Sequence, residues 1–177
     1  MRHAVVYLGE GEIEQYYNAI TTELSARFGI NNLSMRVPPH LTLKYPFETD
    51  DTSIAEKRIE DFLKSKTPIK FLIDGFGRLD DNNETIFLSP VRTGTLDAFV
   101  EDCIIKLGDL GEEKKFDPKK FRVHMSVARH LTSEMFEQIW SYVNSLPRPR
   151  FQLIFDNLTL FVFENEKWEI KKVFKIM

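Results

Sequence analysis

The spacing of apolar positions along the chain switches repeatedly between a period of two and one of about 3.6. Ala4 to Leu8 is short and β-branched and predicts a strand. From Glu12 to Phe28, the residues Ile13, Tyr17, Ile20 and Leu24 fall on one helical stripe, and Gly29 is placed to stop that helix. Pro38 and Pro39 exclude helix just before His40, so His40 to Phe47 reads as a second strand. Ile54, Ile59, Phe62 and Leu63 mark a second helix, ended by Pro68. Ile69 to Phe76 follows as a strand, and Gly75 and Gly77 predict a bulge or bend near its end.

The second half runs through the same order. Thr85 to Val91 predicts a strand. Leu96, Phe99, Val100, Cys103 and Leu107 form a helical stripe ended by Gly108. Phe121 to Ala128 predicts a strand, and Met135, Phe136, Ile139, Trp140 and Val143 another helix. Strands at 151–155, 158–163 and 168–176 close the chain. Matching elements of the two halves lie 82 to 84 positions apart (151 minus 69, 124 minus 40). The expected fold is therefore α+β, a single bilobal domain over residues 1–177. Repeats of about 1–80 and 81–177 would form pseudo-symmetric lobes around a central cleft.

Composition narrows the function classes without choosing one. The 177 residues are 42% hydrophobic and 29% charged, an ordinary globular balance that excludes disordered and fibrous classes. A formal charge of −3 supplies no global field toward nucleic acid or membrane, which leaves only a local basic patch to attract an anion. No apolar stretch approaches the roughly 20 residues that span a bilayer. Gly9 and Glu10 come too early for a secretory leader. With one cysteine, Cys103, no intramolecular disulfide can form. These features predict a soluble cytoplasmic protein.

The candidate chemistry sits on the middle strand of each half. Alternation in His-Leu-Thr-Leu-Lys-Tyr puts Leu41, Leu43 and Tyr45 on one face and His40, Thr42 and Lys44 on the other. In Arg-Val-His-Met-Ser-Val, Val123, Met125 and Val127 share one face, and Arg122, His124 and Ser126 the other. Each strand thus presents a histidine, a hydroxyl about 7 Å further along, and a cation. Such a set suits phosphoryl chemistry. Imidazoles exchange protons near neutrality, hydroxyls donate to phosphoryl oxygens, and Lys or Arg balances charge on those oxygens. Two histidines across one phosphate can divide acid and base work with no metal or other cofactor.

His-Leu-Thr-Leu at 40–43 and His-Met-Ser-Val at 124–127 resemble the paired H-x-T/S-x motifs of the 2H phosphoesterase superfamily. That superfamily includes 2′-5′ RNA ligase-like proteins and cyclic phosphodiesterases, and the resemblance extends to the element order over essentially the whole chain. It implies two lobes of antiparallel sheet with outer helices and the motifs lining the cleft. By the same resemblance His40 is the proton donor, His124 the acceptor, and Thr42 and Ser126 bind phosphate. Ser126 replaces the commoner threonine and keeps its hydroxyl. The expected partner is a 2′,3′-cyclic phosphate or a related nucleotide or RNA-end phosphodiester. A non-catalytic module that binds an RNA end or nucleotide in the same cleft is the alternative.

The remaining polar residues carry less. Arg129 has the parity of Val127 and points away from the cleft unless a bulge intervenes. His130 lies near the strand end, and Arg36 is unassigned. The four histidines form neither an i, i+4 helical pair nor an H-E-x-x-H motif, so no metal site is expected. Cys103, on an apolar helical stripe, reads as core. The basic stretch Lys114–Lys120 reads as a solvated loop, and Asp80–Glu84 as the turn between halves. Tyr7, Phe47 and Phe87 are candidates for stacking on a base.

Overall fold

A computed structural model describes residues 1–80, 84–111 and 121–176. In chain order they form β1 (Arg2–Leu8), α1 (Glu12–Phe28), β2 (His40–Glu48), α2 (Ser53–Leu63), β3 (Ile69–Leu79) and β4 (Thr85–Pro90). α3 (Gly94–Leu107), β5 (Met125–Ala128), α4 (Ser133–Ser145), β6 (Arg150–Phe155), β7 (Asn157–Glu164) and β8 (Lys167–Lys175) complete the order. The basic loop at 114–120 and residues 81–83 of the acidic turn lie outside the described residues.

The α+β expectation holds. Two four-stranded sheets have the orders β2-β1-β7-β8 and β5-β4-β3-β6, and every neighbouring pair is antiparallel. α1 spans the residues its apolar stripe predicts, with Ile13, Tyr17, Ile20 and Leu24 all buried. Gly29 ends it in the left-handed region at φ 68°, where its N–H donates to the Ser25 carbonyl at 2.9 Å. Thr93 and Thr132 cap α3 and α4 by accepting from Leu96 N–H and Met135 N–H. Asn165 and Glu166, both with positive φ, make the two-residue turn joining β7 to β8.

The sheets do not follow the division between sequence halves. β3 belongs to the first half but hydrogen-bonds beside β4 in the sheet that carries β5. β7, from the second half, lies between β1 and β8. The structural counterpart of β3 is therefore β7, whereas the sequence offset pointed to β6. Equal spacing could not identify which strand crosses over, because β6 and β7 are both apolar and adjacent. Helices exchange in the same way: α1 packs on β5 and α3 packs on β2.

The two edge strands, β2, which begins at His40, and β5, which begins one residue after His124, thus come to lie against one another. Their approach is close. A Cβ added at Gly9, just past β1, would sit 3.3 Å from the Met125 side chain of β5. Asn157 secures the end of β1 at this point. The β1–β7 ladder runs as far as Val6 opposite Thr159. Beyond it, the buried Asn157 side chain accepts from Leu8 N–H at 3.0 Å and donates to the Leu8 carbonyl at 3.1 Å. Thr159 Oγ1 donates to Asn157 Oδ1 at 3.0 Å. Leu8 pairs on its other side with His40, so this clamp fixes the strand end opposite the first motif.

Replacing Asn157 with alanine leaves two backbone groups of Leu8 without these partners. Urea unfolding of Asn157→Ala should show a loss of about 2–4 kcal/mol. A loss below about 0.5 kcal/mol would mean that the clamp does not hold the strand end.

Candidate active site

His40, Thr42, Arg122, His124 and Ser126 line one cavity of about 390 Å³ between the sheets. Its floor on the first sheet is small and apolar, from Ala4 and Val6 of β1, and Phe161 of β7 forms a wall. Val6 is the register partner of Thr42 and Ala4 that of Phe161, so alternation puts these side chains on one face. A volume of this size suits a nucleotide-scale ligand.

Each histidine is held in the same way. His40 Nδ1 lies 2.7 Å from the Pro38 carbonyl, and His124 Nδ1 lies 3.1 Å from the Arg122 carbonyl. Both acceptors are two residues upstream of the ring. A carbonyl can only accept, so Nδ1 carries a proton in each ring, and Nε2 is the nitrogen that exchanges one. The rings rest on aromatic walls. His40 packs against Phe161 with centroids 5.5 Å apart, and His124 against Phe87 at 5.2 Å. Phe87 lies over Gly77, its register partner in β3, where an added Cβ would clash with the ring. Gly77 is therefore a space requirement for the His124 wall. The predicted bulge occurs just before it, between Ile73 and Phe76, with Gly75 at φ 81°.

The Thr42 and Ser126 hydroxyls are half-buried in this cavity and make no hydrogen bond to another described residue. Arg122 also reaches the cavity, although it precedes β5, which is shorter than the predicted strand.

Lys44 does not share the cavity face, contrary to its alternation. The β1–β2 register shifts by one residue between the pairs Val6–Thr42 and Val5–Lys44. This bulge makes Leu43 and Lys44 consecutive buried residues. Lys44 Nζ donates to the Gly108 carbonyl at 3.3 Å, at the C-terminal end of α3, where the helix dipole favours a cation. Tyr45 takes the cavity position instead.

β5 carries the matching device. Ile86 pairs with Ala128 and Phe87 with Ser126, so Val127 is the extra residue. Val127 and Ala128 are both buried, and Arg129 is returned to the cavity face. Tyr45 and Arg129 are also 84 positions apart, matching the histidines. His130 joins the cavity with φ 57°. Among the stacking candidates, Tyr7 and Phe47 are core residues, while Phe87 lines a smaller neighbouring cavity with His124. Cys103 is fully buried, and burial pushes its thiol up.

Among the described residues, no three His, Cys, Asp or Glu side chains gather as a metal-ligating group. No helix of these residues is long and apolar enough to cross a membrane.

The sequence profile described as "2'-5' RNA ligase superfamily" matches residues 12–167. The chain belongs to the 2′-5′ RNA ligase superfamily. Family and fold together support a phosphoesterase- or ligase-type activity. A Geobacillus kaustophilus protein named "Putative phosphoesterase GK0864" is 23% identical over 177 residues, covering 98% of this chain and 95% of the relative. The crystal structure of TT0787 from Thermus thermophilus superposes with a TM-score of 0.65 at 12% identity, covering 99% of this chain and 98% of that one. Escherichia coli LigT complexed with 3′-AMP superposes with a TM-score of 0.56 at 12% identity, covering 99% and 98%. These likenesses establish the superfamily fold for the chain.

Burial lowers the His40 imidazole to about 4; the Pro38 hydrogen bond opposes this, and Arg129 and His124 add to it. His3, fully buried in β1, is lowered as well, mainly by burial. In the unfolded chain both histidines titrate near their ordinary value of 6.5. The unfolded state therefore binds the protons first. Stability is full above about pH 6.5 and falls as the pH drops toward 4. His40→Asn keeps a donor at the Nδ1 position but cannot titrate. Denaturation at pH 7.5 and 4.5 should show a loss smaller by about 2 kcal/mol in His40→Asn than in the parent. Equal losses would mean that His40 is not held neutral by the fold.

Proposed function

We propose that this protein is a phosphoesterase that opens a 2′,3′-cyclic phosphate, or a related nucleotide phosphodiester, with His40 and His124 as its acid–base pair. The observation that carries this reading is the paired arrangement in one cavity. Two imidazoles are each tied through Nδ1 to the carbonyl two residues upstream, beside two hydroxyls without partners among the described residues. LigT with 3′-AMP supports a nucleotide-sized ligand, and superfamily membership supports the reaction class.

In hydrolysis, His124 Nε2 takes a proton from water as the water oxygen bonds to phosphorus. The bond from phosphorus to one ribose oxygen breaks, and that oxygen takes its proton from His40 Nε2. The product is a phosphomonoester, and the proton gained by His124 returns to His40 through solvent. Thr42 and Ser126 donate to the non-bridging oxygens, and Arg129 and Arg122 balance their charge. Lys44 has no part, because its amine is engaged at the end of α3.

His40→Ala and His124→Ala should each lower kcat about 10²–10⁴-fold toward cyclic nucleotides in the presence of EDTA. Arg129→Ala should weaken substrate binding about tenfold or more, and Lys44→Met, isosteric and apolar, should fold and turn over within about threefold of the parent. Retained turnover in both histidine variants would remove the mechanism. Affinity for a nucleotide with no product from any phosphodiester would favour a binding module.

The donor role makes a separate demand on His40, which is neutral in the free protein at pH 7. A phosphate anion beside the ring favours its charged form, so the proton must enter with the ligand. Titration calorimetry with 3′-AMP at pH 6, in two buffers of different ionisation enthalpy, should show proton uptake. The uptake should shrink in His40→Asn and shrink below pH 4, where His40 is already protonated. Binding without uptake would exclude His40 as the donor.

A further inference from the structure

Beside the cavity lies a groove of about 620 Å³, most of whose walls the proposed chemistry does not use. It shares Pro46, Arg129, His130 and Trp168 with the cavity, so the two spaces are continuous. Its own walls add Arg2 and Arg36. Among the described residues none of Arg2, Arg36 and Arg129 forms an ion pair with a carboxylate. Among the same residues, Glu166 is the one acidic side chain on the groove wall. A chain with a net charge of −3 thus collects in one place three guanidinium groups without carboxylate partners among the described residues.

The groove is anchored by backbone. Trp168 N–H donates to the Arg36 carbonyl at 2.7 Å, which ties the β7–β8 hairpin to the segment preceding β2. The indole packs on Phe163 with centroids 5.2 Å apart, and the Arg2 guanidinium stands 6.0 Å from the indole ring. Arg36 is close enough to Arg129 to act on it. Desolvation lowers the Arg129 guanidinium from its ordinary value, and the like charge of Arg36 adds to this, although the residue as a whole keeps exposed surface. Like charges held together without a counter-charge favour an anion between them. An aromatic ring lining the same groove as the guanidinium groups favours a base joined to that anion.

We propose that this groove is a subsite for the second nucleotide of the substrate: Arg2 and Arg36 hold the adjoining phosphodiester and Trp168 stacks on its base, so the protein acts on oligonucleotide ends in preference to mononucleotides. The inference rests on the proposed phosphoesterase reading for the identity of the reacting end. It does not rest on it for the occupancy of the groove.

Two readouts separate the inference from that reading. Turnover is compared between a mononucleotide 2′,3′-cyclic phosphate and a dinucleotide with the same cyclic end. The parent should favour the dinucleotide at least tenfold in kcat/KM. The Arg2→Ala, Arg36→Ala double variant should lower that ratio about tenfold. Trp168→Ala should lower it by about 5- to 150-fold, the range for loss of one stacked base. Lys57→Ala, on α2 and outside the groove, controls for loss of a surface charge. Calorimetric affinities for 3′-AMP and for a dinucleotide ending in a 3′-phosphate supply the second readout, which needs no turnover. The dinucleotide should bind at least tenfold more tightly, and the double variant should erase the difference.

Equal affinities for the two lengths overturn the subsite, whatever the turnover. A length-dependent affinity that the double variant abolishes, in a protein that turns over neither substrate, upholds the subsite and removes the phosphoesterase reading. A length preference unchanged in the double variant overturns the assignment to this groove.

Discussion

The exchange of strands between sheets is the constraint on which the site depends. β7 lies beside β1, and β3 beside β4, so each sheet contains strands from both halves of the chain. The first histidine motif lies on β2, and the second runs into β5 with His124 one residue ahead of the strand; each strand is at the edge of its own sheet and not paired with the other. Their separation is therefore set at a distance, by ladders of antiparallel hydrogen bonds running through β1 and β7 and through β4 and β3. The crossed packing of α1 on β5 and α3 on β2 closes the arrangement from outside. Edge strands ordinarily invite pairing with other chains. Here the exchange turns both edges toward each other and leaves a nucleotide-sized space between them.

Within that frame, a single extra residue decides which side chains reach the space. Strict alternation places Lys44 with His40 and Arg129 away from His124, and both placements are reversed by bulges just past the histidine–hydroxyl pairs. The chemical cores of the motifs, His40 with Thr42 and His124 with Ser126, precede the bulges, which is why period-two reasoning locates them. A bulge inserts one ordinary residue, Leu43 or Val127, with no glycine to mark it, so the sequence carries no local sign of where the parity changes. The bulged residues do show a trace in hindsight. Leu41, Leu43 and Lys44, like Val127 and Ala128, are compatible with burial only if alternation fails once. The same limit explains the strands. Elements with long periodic stripes, such as α1, are legible to the residue, whereas the choice between β6 and β7 as partner for β1 depends on contacts between distant segments.

The histidines illustrate a trade between order and charge. Anchoring Nδ1 on a carbonyl two residues upstream fixes the tautomer and aims the ring, and this demands only the extended backbone that the prolines impose before His40. The aromatic walls that complete the anchoring also desolvate the ring, and for His40 desolvation outweighs the carbonyl hydrogen bond. The free protein thus holds His40 neutral, at a cost that appears as acid sensitivity of the fold. In the donor role proposed for it, His40 is incomplete until an anion arrives. On the proposed reading the phosphate supplies the field that charges the group which then protonates its leaving oxygen. That coupling protects the cavity from acting on neutral ligands, whose binding would leave His40 without its proton.

On the proposed reading, charge distribution favours ends over continuous strands at this site. A net charge of −3 repels a polyanion at distances of about a Debye length, roughly 8 Å at physiological salt, so an extended nucleic acid gains nothing by lying along most of this surface. Among the described residues, Arg122 and Arg129 line the cavity, and Arg2 and Arg36 continue beyond it. On that reading a terminus fits the arrangement, because its phosphate would sit between the histidines and its single continuation would follow the arginines. The placement of a few guanidinium groups, rather than their number, is on that reading what distinguishes the end of a strand from its interior.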